Sequence, residues 1–328
     1  MSVVFARAPL RVSLGGGGTD LPSYYSRHGG LVVSAAIDKY VYMLANTAFQ
    51  PSFRLKHFEW EDVAEVDDIA HPLLREALRR SWNGAPLEIT SVGDVPPGTG
   101  LGSSGAYTVC VLKAITLARG DELTRGELAE AACEVEINRA GRKVGKQDQY
   151  AAAHGGVNAY RFNQDGSVDV EPLAIDAGTR SALCERFLAF FTGGVRSASR
   201  MLAEQVSRTA AGDVAVEQNL QRTKELAAES RQALEGGDLE HFGGLMNEQF
   251  ETKRSRSRAA ITPEIERLRA IALDAGAQGV MLMGAGGGGF LLALAADPAG
   301  VRAAFADSGT AELRFALDEL GARGEVYA

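Results

Sequence analysis

The residues best suited to chemistry form a glycine-rich stretch near the end of the first third of the chain. It reads Pro96-Pro97-Gly98-Thr99-Gly100-Leu101-Gly102-Ser103-Ser104-Gly105-Ala106. Glycine permits positive φ angles and lets a ligand approach the backbone closely. A helix pattern from Tyr107 to Leu117 follows, and a helix that begins there presents unpaired N–H groups and the positive end of its dipole. The stretch therefore predicts an anion site, with phosphate as the usual anion and the serine hydroxyls as hydrogen-bond donors or Mg²⁺ ligands.

Two other phosphate-binding motifs fit this stretch poorly. Gly93 and Gly98 have the spacing that opens a Walker A loop, but no Lys-Ser/Thr pair follows them. The pattern G-x-G-x-x-G runs from Gly100 to Gly105, but Asp94 to Pro97 separate it from the preceding strand-like run and no alternating βαβ pattern follows. A glycine turn that leads into a buried helix is the structural alternative, and two further glycine loops in the chain count against it.

As a whole, the stretch resembles the phosphate loop of the GHMP kinases, a family named for galactokinase, homoserine kinase, mevalonate kinase and phosphomevalonate kinase. The motif is long and rarely arises by chance. The resemblance implies that ATP is bound by eight residues of the loop: Pro97, Gly98, Gly100, Leu101, Gly102, Ser103, Ser104 and Gly105.

A second glycine loop, Gly15-Gly16-Gly17-Gly18-Thr19-Asp20, follows a strand-like stretch from Val3 to Leu14. Alone, it is typical of a flexible turn. Within the family it resembles the first GHMP motif, which makes Arg11 a catalytic candidate as the cation near the transferred phosphoryl group. The resemblance also implies substrate contacts from four residues of the loop, and a carboxylate such as that of Asp20 suits a polyol because it accepts two hydroxyl hydrogen bonds. These residues are Gly17, Gly18, Thr19 and Asp20.

The segment Gly145-Lys146-Gln147-Asp148-Gln149-Tyr150 precedes a Gly-Gly pair and resembles the catalytic segment of the sugar-kinase branch of the family. Asp148 then falls on the catalytic aspartate, which accepts the proton of the acceptor hydroxyl or orients that hydroxyl. Glu136, twelve positions upstream, falls on the Mg²⁺-binding glutamate, with Ser104 as the second metal ligand. The structural alternatives are a helix-capping aspartate and a solvated glutamate.

The third glycine loop, Gly284 to Gly289, lies between two strand-like runs. A glycine-rich hairpin is the structural alternative. This glycine loop resembles the third GHMP motif, which supports the phosphate loop. The resemblance makes Gly286 and Gly287 substrate-binding candidates. Arg196 is either a ligand of a substrate phosphate or a surface residue. The basic run from Lys253 to Arg258 is interpreted as a solvated linker, with phosphate binding as the alternative.

Composition restricts the class of protein. The 328 residues are 45% hydrophobic and 23% charged, which is typical of a globular protein long enough for two domains. The net charge of −8 argues against nucleic-acid binding. Neither a signal peptide nor a membrane helix is expected. The cysteines lack metal or disulfide spacing, which favours a reducing cytoplasm: Cys110, Cys133 and Cys184.

The resemblance covers nearly the whole chain and implies an α+β enzyme. It implies a ribosomal-protein-S5-like N-terminal ATP-binding domain at residues 1–180 and a ferredoxin-like C-terminal domain at residues 181–328. The motifs are most similar to those of heptose 7-phosphate kinases, which use ATP and Mg²⁺ to phosphorylate the anomeric hydroxyl and give the 1,7-bisphosphate. A kinase of a neutral sugar such as fucose and a silent nucleotide-binding regulator are the alternatives. The partner is then a small sugar phosphate, and a homodimer is left open.

Overall fold

The computed structural model of the chain describes residues 2–194 and 198–327. Twelve strands lie within these residues: β1 (Val3–Gly15), β2 (Gly30–Thr47), β3 (Phe53–Lys56), β4 (Trp60–Val63), β5 (Leu87–Gly93), β6 (Val157–Phe162), β7 (Val168–Pro172), β8 (Phe187–Phe191), β9 (Ala277–Leu282), β10 (Phe290–Ala295), β11 (Glu312–Leu313) and β12 (Arg323–Tyr327). The same residues contain eleven α-helices: α1 (Pro22–His28), α2 (Pro72–Ser81), α3 (Ser103–Arg119), α4 (Arg125–Cys133), α5 (Gln147–His154), α6 (Ala177–Arg186), α7 (Ala198–Ala210), α8 (Val214–Glu235), α9 (Leu239–Arg256), α10 (Pro263–Asp274) and α11 (Pro298–Asp307). None of these helices is both long and apolar enough to span a lipid bilayer.

Strand β2 is the central strand of the first sheet, which has eight strands. It pairs with β1 along most of its 18 residues, and on its other side with β6 and then β5. The strand order is β12-β1-β2-β5-β3-β4, with β7 beyond β6. The second half of β1 is buried throughout because α3 and α5 pack on this strand together with α8 and α9. The mixture of separate helices and a mainly antiparallel sheet confirms the expected α+β class.

The sequence predicts two strands, Leu31–Ile37 and Tyr40–Asn46, with Asp38 and Lys39 as a tight turn between them. This prediction is wrong, because β2 continues through both residues. Pro9 of β1 faces Tyr40, while the next residue, Leu10, faces Ile37. Asp38 and Lys39 therefore have no partner residues in β1 and form a bulge within one continuous strand. Such a bulge bends a strand without ending it, and local sequence alone does not distinguish it from a turn.

The second sheet has the order β11-β8-β10-β9 and is antiparallel. Its strands are buried on both faces, so alternate residues enter different clusters. Leu188 and Leu291 pack with α10 and α11, whereas Ala189 and Leu292 join the main core below the first sheet. One hydrophobic cluster therefore extends across both sheets.

The domain limits at residues 180 and 181 stay a prediction. In the structure, residue 180 lies within α6, and β12 at the end of the chain returns to pair with β1. The second sheet and its helices thus interrupt a sheet that both ends of the chain complete.

Helix α9 ends at Arg256, which corrects the interpretation of the basic run as a linker. The apolar helix pattern stops near Phe250, but the helix continues for more than a turn with polar residues. This happens because the face that packs on the core turns toward a cavity, so the hydrophobic periodicity that marks a helix disappears before the helix does.

Candidate active site

A cavity of about 930 Å³ brings together residues of all three glycine segments. The walls come from β1, the start of α3, the start of α5 and the helices α7, α8 and α9. Among the predicted site residues, the cavity is lined by Arg11, Gly17, Gly18, Asp20, Pro97, Gly98, Gly100, Gly102, Ser103, Ser104, Asp148 and Gly286. The others that the structure describes lie behind these walls: Thr19, Leu101, Gly105, Glu136 and Gly287. Arg196 lies outside the described residues.

The phosphate loop, Pro96 to Ser104, leaves the start of α3 open to a ligand. Gly102 is the N-cap, with a φ of 78°, and no side chain caps the helix. The hydroxyl of Ser103 is buried without a hydrogen-bond partner among the described residues. Gly100 packs against the start of the third glycine loop. A Cβ added at Gly100 would lie only 2.7 Å from the carbonyl oxygen of Met283. Free N–H groups and an unpartnered hydroxyl, fixed by a supporting loop, suit an anion.

Arg11 and Asp148 meet beside this loop. The Nε and Nη2 atoms of Arg11 donate to Oδ1 of Asp148 at 2.8 and 2.5 Å, and Nη1 donates to the carbonyl of Gly100 at 2.6 Å. The side chain of Arg11 is buried, whereas that of Asp148 is 30% exposed. Gly105 makes the arrangement possible, since a Cβ there would lie 2.6 Å from the Cβ of Asp148. One guanidinium thus fixes β1, the phosphate loop and α5 relative to each other.

Asp20 joins the first glycine loop to the start of α5. Its carboxylate accepts from the N–H groups of Gly18 at 3.0 Å and Gln147 at 3.1 Å. Burial raises the pKa of Asp20, and the charge of Asp148 raises it further. The neighbouring Thr19 is buried, and its hydroxyl contacts backbone groups of Gly16 and Leu31 at 2.9 to 3.1 Å. Thr19 therefore holds the shape of the loop, and its contact with substrate stays a prediction.

Glu136 lies in a π-helical segment, Glu134–Arg139, behind the phosphate loop. Its side chain is 1% exposed, so the alternative of a solvated glutamate is wrong. Oε1 contacts the Ser104 hydroxyl and accepts from Nη1 of Arg142 at 2.9 Å, while Oε2 accepts from Gln149 at 2.8 Å. Burial raises the pKa of Glu136, and the charge of Arg142 opposes that shift.

The oxygen atoms of Glu136 and Ser104 form a donor pair that fits Mg²⁺, which prefers one or two carboxylates plus substrate phosphates. The described residues contain no group of three or more His, Cys, Asp or Glu side chains that could hold a metal alone. Arg142 also donates to the Ser104 hydroxyl at 2.8 Å, so a cation would compete with its guanidinium for the same two oxygens.

For two basic residues of the cavity, Lys253 and Arg256, the sequence favoured a solvated linker and kept phosphate binding only as the alternative. Lys253 donates to the carbonyls of Leu282 at 2.5 Å and Gly284 at 2.8 Å. Arg256 lies one turn further along α9 and also lines the cavity. The three-residue spacing of Lys253 and Arg256 is the signal that could have placed both on one helix face.

Two partly exposed histidines, His57 and His71, also line the cavity. Nε2 of His57 lies 2.7 Å from Oε1 of Glu61, and the ring centroids of His57 and His71 are 4.9 Å apart. Burial lowers the pKa of His71 to about 4, and the His57 charge acts in the same direction. Glu61 is buried, and its carboxylate accepts from the N–H groups of Ala70 at 2.6 Å and His71 at 3.2 Å.

Comparison with known proteins agrees with this geometry. The family model for the GHMP kinases N terminal domain matches residues 69–156, which include the phosphate loop, Glu136 and Asp148. The model for the GHMP kinases C terminal region matches residues 230–309, which include α9 and the third glycine loop. The chain belongs to the GHMP kinases.

Several relatives within that family are named as kinases of sugars or sugar phosphates. The D-glycero-alpha-D-manno-heptose 7-phosphate kinase of Campylobacter jejuni is 29% identical over 304 residues, 89% of either chain. The L-fucokinase/L-fucose-1-P guanylyltransferase of Bacteroides fragilis is 27% identical over 90% of this chain, which spans only 35% of that longer protein. A crystal structure of a D-glycero-D-manno-heptose 1-phosphate kinase from Bacteroides thetaiotaomicron covers 99% of this GHMP kinase and is itself covered completely, with a TM-score of 0.80 and 26% identity. The chain is an ATP-dependent sugar kinase of the family.

Proposed function

We propose that this GHMP kinase transfers the γ-phosphoryl group of ATP to the anomeric hydroxyl of D-glycero-D-manno-heptose 7-phosphate and produces the 1,7-bisphosphate. The observation that carries the proposal is the similarity to the Campylobacter enzyme of that name along 89% of both chains. The shared cavity supports it, because it is lined by residues of all three glycine segments and by Asp20, whose carboxylate suits a sugar.

The proposed chemistry relies on positioning more than on covalent steps, as phosphoryl transfer generally does. Asp148 accepts a hydrogen bond from the anomeric hydroxyl and takes its proton as the oxygen attacks the γ-phosphorus, while the bond from that phosphorus to the β–γ bridging oxygen breaks and ADP leaves. Arg11 binds both Asp148 and the Gly100 carbonyl, so the attacking hydroxyl and the phosphoryl group are held by one frame. Its charge also offsets the negative charge of the transferred group.

The nucleotide phosphates are proposed to bind the N–H groups of the phosphate loop and the hydroxyl of Ser103. Mg²⁺, held by Ser104 and Glu136, would neutralise phosphate charge when bound. The sugar is proposed to lie along the first glycine loop, where Asp20 accepts hydrogen bonds from its hydroxyls. Burial of that carboxylate favours such contacts, because a buried acceptor without water gains more from each donor.

The test is ADP release with ATP and Mg²⁺ on three acceptors: the heptose 7-phosphate, the heptose 1-phosphate and the unphosphorylated heptose. The 1-phosphate is included because the Bacteroides structure is named for that acceptor. Turnover with the 7-phosphate alone supports the proposal, with phosphorus NMR expected to show a new anomeric phosphate. Turnover with the 1-phosphate alone would reverse the assignment of the acceptor hydroxyl.

A neutral sugar is the second candidate acceptor, and the similarity to the fucokinase region of the Bacteroides fragilis protein favours it. L-Fucose therefore belongs in the same panel. A kcat/KM for fucose or unphosphorylated heptose above that for the 7-phosphate would retain the sugar kinase and replace its substrate.

A further inference from the structure

Among the described residues, five lysine or arginine side chains line the cavity, and three of them already have a carboxylate partner. Arg11 is paired with Asp148, Arg142 with Glu136, and Arg208 with Asp213 at 2.9 Å. The remaining two are Lys253 and Arg256.

Arg256 is a cation without a counter-ion in the described part of the chain. Its Nη1 donates to the side chains of Asn219 and Thr223, both at 3.0 Å, and its Nη2 donates to the carbonyl of Gly17 at 3.4 Å. All three acceptors are neutral. Burial lowers the pKa of Arg256 to about 10, and only the charge of Asp20 acts against that shift. A partly desolvated charge held by neutral oxygens costs free energy that an arriving anion would recover.

Lys253 adds a second such charge one helical turn away. Like Arg256, it contacts only neutral acceptors in the described residues, here the carbonyl oxygens of Leu282 and Gly284. Two like charges on one half-buried helix face repel each other, and a bound anion would offset that repulsion.

The position of Arg256 separates it from the nucleotide phosphates. Its contact with Gly17 and its attraction to Asp20 place it at the first glycine loop, the proposed sugar site. The phosphate loop is held instead by Arg11, through the Gly100 carbonyl. The charges of both arginines lower the pKa of Lys253, so Lys253 is near enough to feel each of them.

We propose that Arg256, assisted by Lys253, forms an anion subsite at the first glycine loop that binds the phosphate group the sugar acceptor already carries. This inference rests on the proposed function, because it requires a phosphorylated acceptor. Arg196, the sequence-based candidate for that role, lies outside the described residues. Two other basic residues, Arg27 after the first glycine loop and Lys146 beside Asp148, pair with Glu217 and Glu130, and neither lines the cavity.

The test compares Arg256→Gln with the wild-type enzyme on the heptose 7-phosphate and on the unphosphorylated heptose. We expect KM for the 7-phosphate to rise about 10- to 100-fold, the usual size of one lost charge-assisted contact. KM for the unphosphorylated heptose and for ATP is expected to change by less than about twofold, because these ligands do not use the subsite. Arg256→Lys keeps the charge without the guanidinium fork and should fall between the two enzymes.

Arg254→Gln is the matched control, since Arg254 lies on the same helix but is exposed, outside the cavity and paired with Glu266 at 3.0 Å. Its kinetics should equal those of the wild type. An equal rise of KM for both sugars, or a rise for ATP alone, would overturn the subsite. A wild-type enzyme that does not prefer the 7-phosphate would overturn the proposed function instead, whereas a preference that survives in Arg256→Gln overturns only the subsite.

Discussion

Two sets of charged side chains line or adjoin the cavity, and they are held in different ways. The paired set consists of Arg11 with Asp148, at 2.5 Å, and Arg142 with Glu136, at 2.9 Å. Its members come from β1, α5, the π-helical segment and the loop after it. Each guanidinium also binds the phosphate loop, at Gly100 or Ser104.

The unpaired set consists of Lys253 and Arg256 on α9, whose partners in the described residues are neutral oxygens. Burial lowers the pKa of both side chains, to about 7 and about 10. A paired charge is oriented before any ligand arrives, whereas an unpaired buried charge gains a partner only when a ligand binds. We therefore expect the paired set to control kcat and the unpaired set to control affinity for the acceptor.

The largest effect is expected from Asp148→Asn in the paired set. The amide keeps the shape of the side chain but cannot take the hydroxyl proton, so kcat should fall about 10²- to 10⁴-fold. Binding of ATP, measured by calorimetry, should stay nearly unchanged because Asp148 is not proposed to contact the nucleotide. Asp165→Asn, in an exposed turn, is the control. Near-normal kcat in Asp148→Asn would remove this residue from the mechanism.

The next effect tests whether the paired set depends on the close approach of α3 and α5. In Gly105→Ala the new methyl group would lie 2.6 Å from the Cβ of Asp148, so one helix has to move. A shift of the catalytic carboxylate should lower kcat about 10- to 100-fold. Gly126→Ala is the matched control, since a Cβ in that exposed helical turn meets no atom within 4 Å. Equal kcat in the two variants would show that the contact can relax without cost.

Much of this arrangement could be predicted from the sequence because it depends on local motifs. The three glycine segments and Asp148 each stand in a run of several informative residues, so their identity did not require knowledge of the fold. The sequence predicts Glu136 from its separation of twelve positions from Asp148 and the family resemblance. It does not predict that this side chain is buried in a π-helical segment. Whether these residues bind ATP, metal and sugar as assigned stays a prediction.

For the unpaired set, sequence reasoning favoured the wrong one of two alternatives, because the position of these side chains depends on long-range packing. Lys253 and Arg256 were read as part of a solvated run, since a basic stretch after an apolar helix is typical of a linker. Only the position of α9 against the first and third glycine loops turns these side chains inward. Likewise, the extra residues Asp38 and Lys39 are recognisable as a bulge only from the register of β1 against β2.

The third prediction concerns whether Mg²⁺ displaces the Arg142 guanidinium from Glu136 and Ser104. In Glu136→Gln the amide is a weaker Mg²⁺ ligand, so the Mg²⁺ concentration for half-maximal rate should rise about 10- to 100-fold. Glu134→Gln is the matched control on the same π-helical segment, because that side chain is more exposed and pairs with Arg80 and Arg139. An unchanged Mg²⁺ requirement in Glu136→Gln would leave the carboxylate as a structural partner of Arg142.

The smallest effect is a pH dependence that belongs to the unpaired set alone. Burial, with the charges of Arg256 and Arg11, lowers the pKa of Lys253 to about 7 in the free enzyme. The acceptor phosphate is proposed to bind protonated Lys253, so KM for the heptose 7-phosphate should rise between pH 7 and pH 9, by at most about tenfold in total because Arg256 keeps its charge over this range. A phosphate monoester is almost fully a dianion above pH 7, so its own titration does not contribute. KM for the unphosphorylated heptose should stay flat, and Lys253→Arg, which remains charged over this range, should abolish the slope. A slope that persists in Lys253→Arg would assign the titration to another group and leave Arg256 as the sole cation of the subsite.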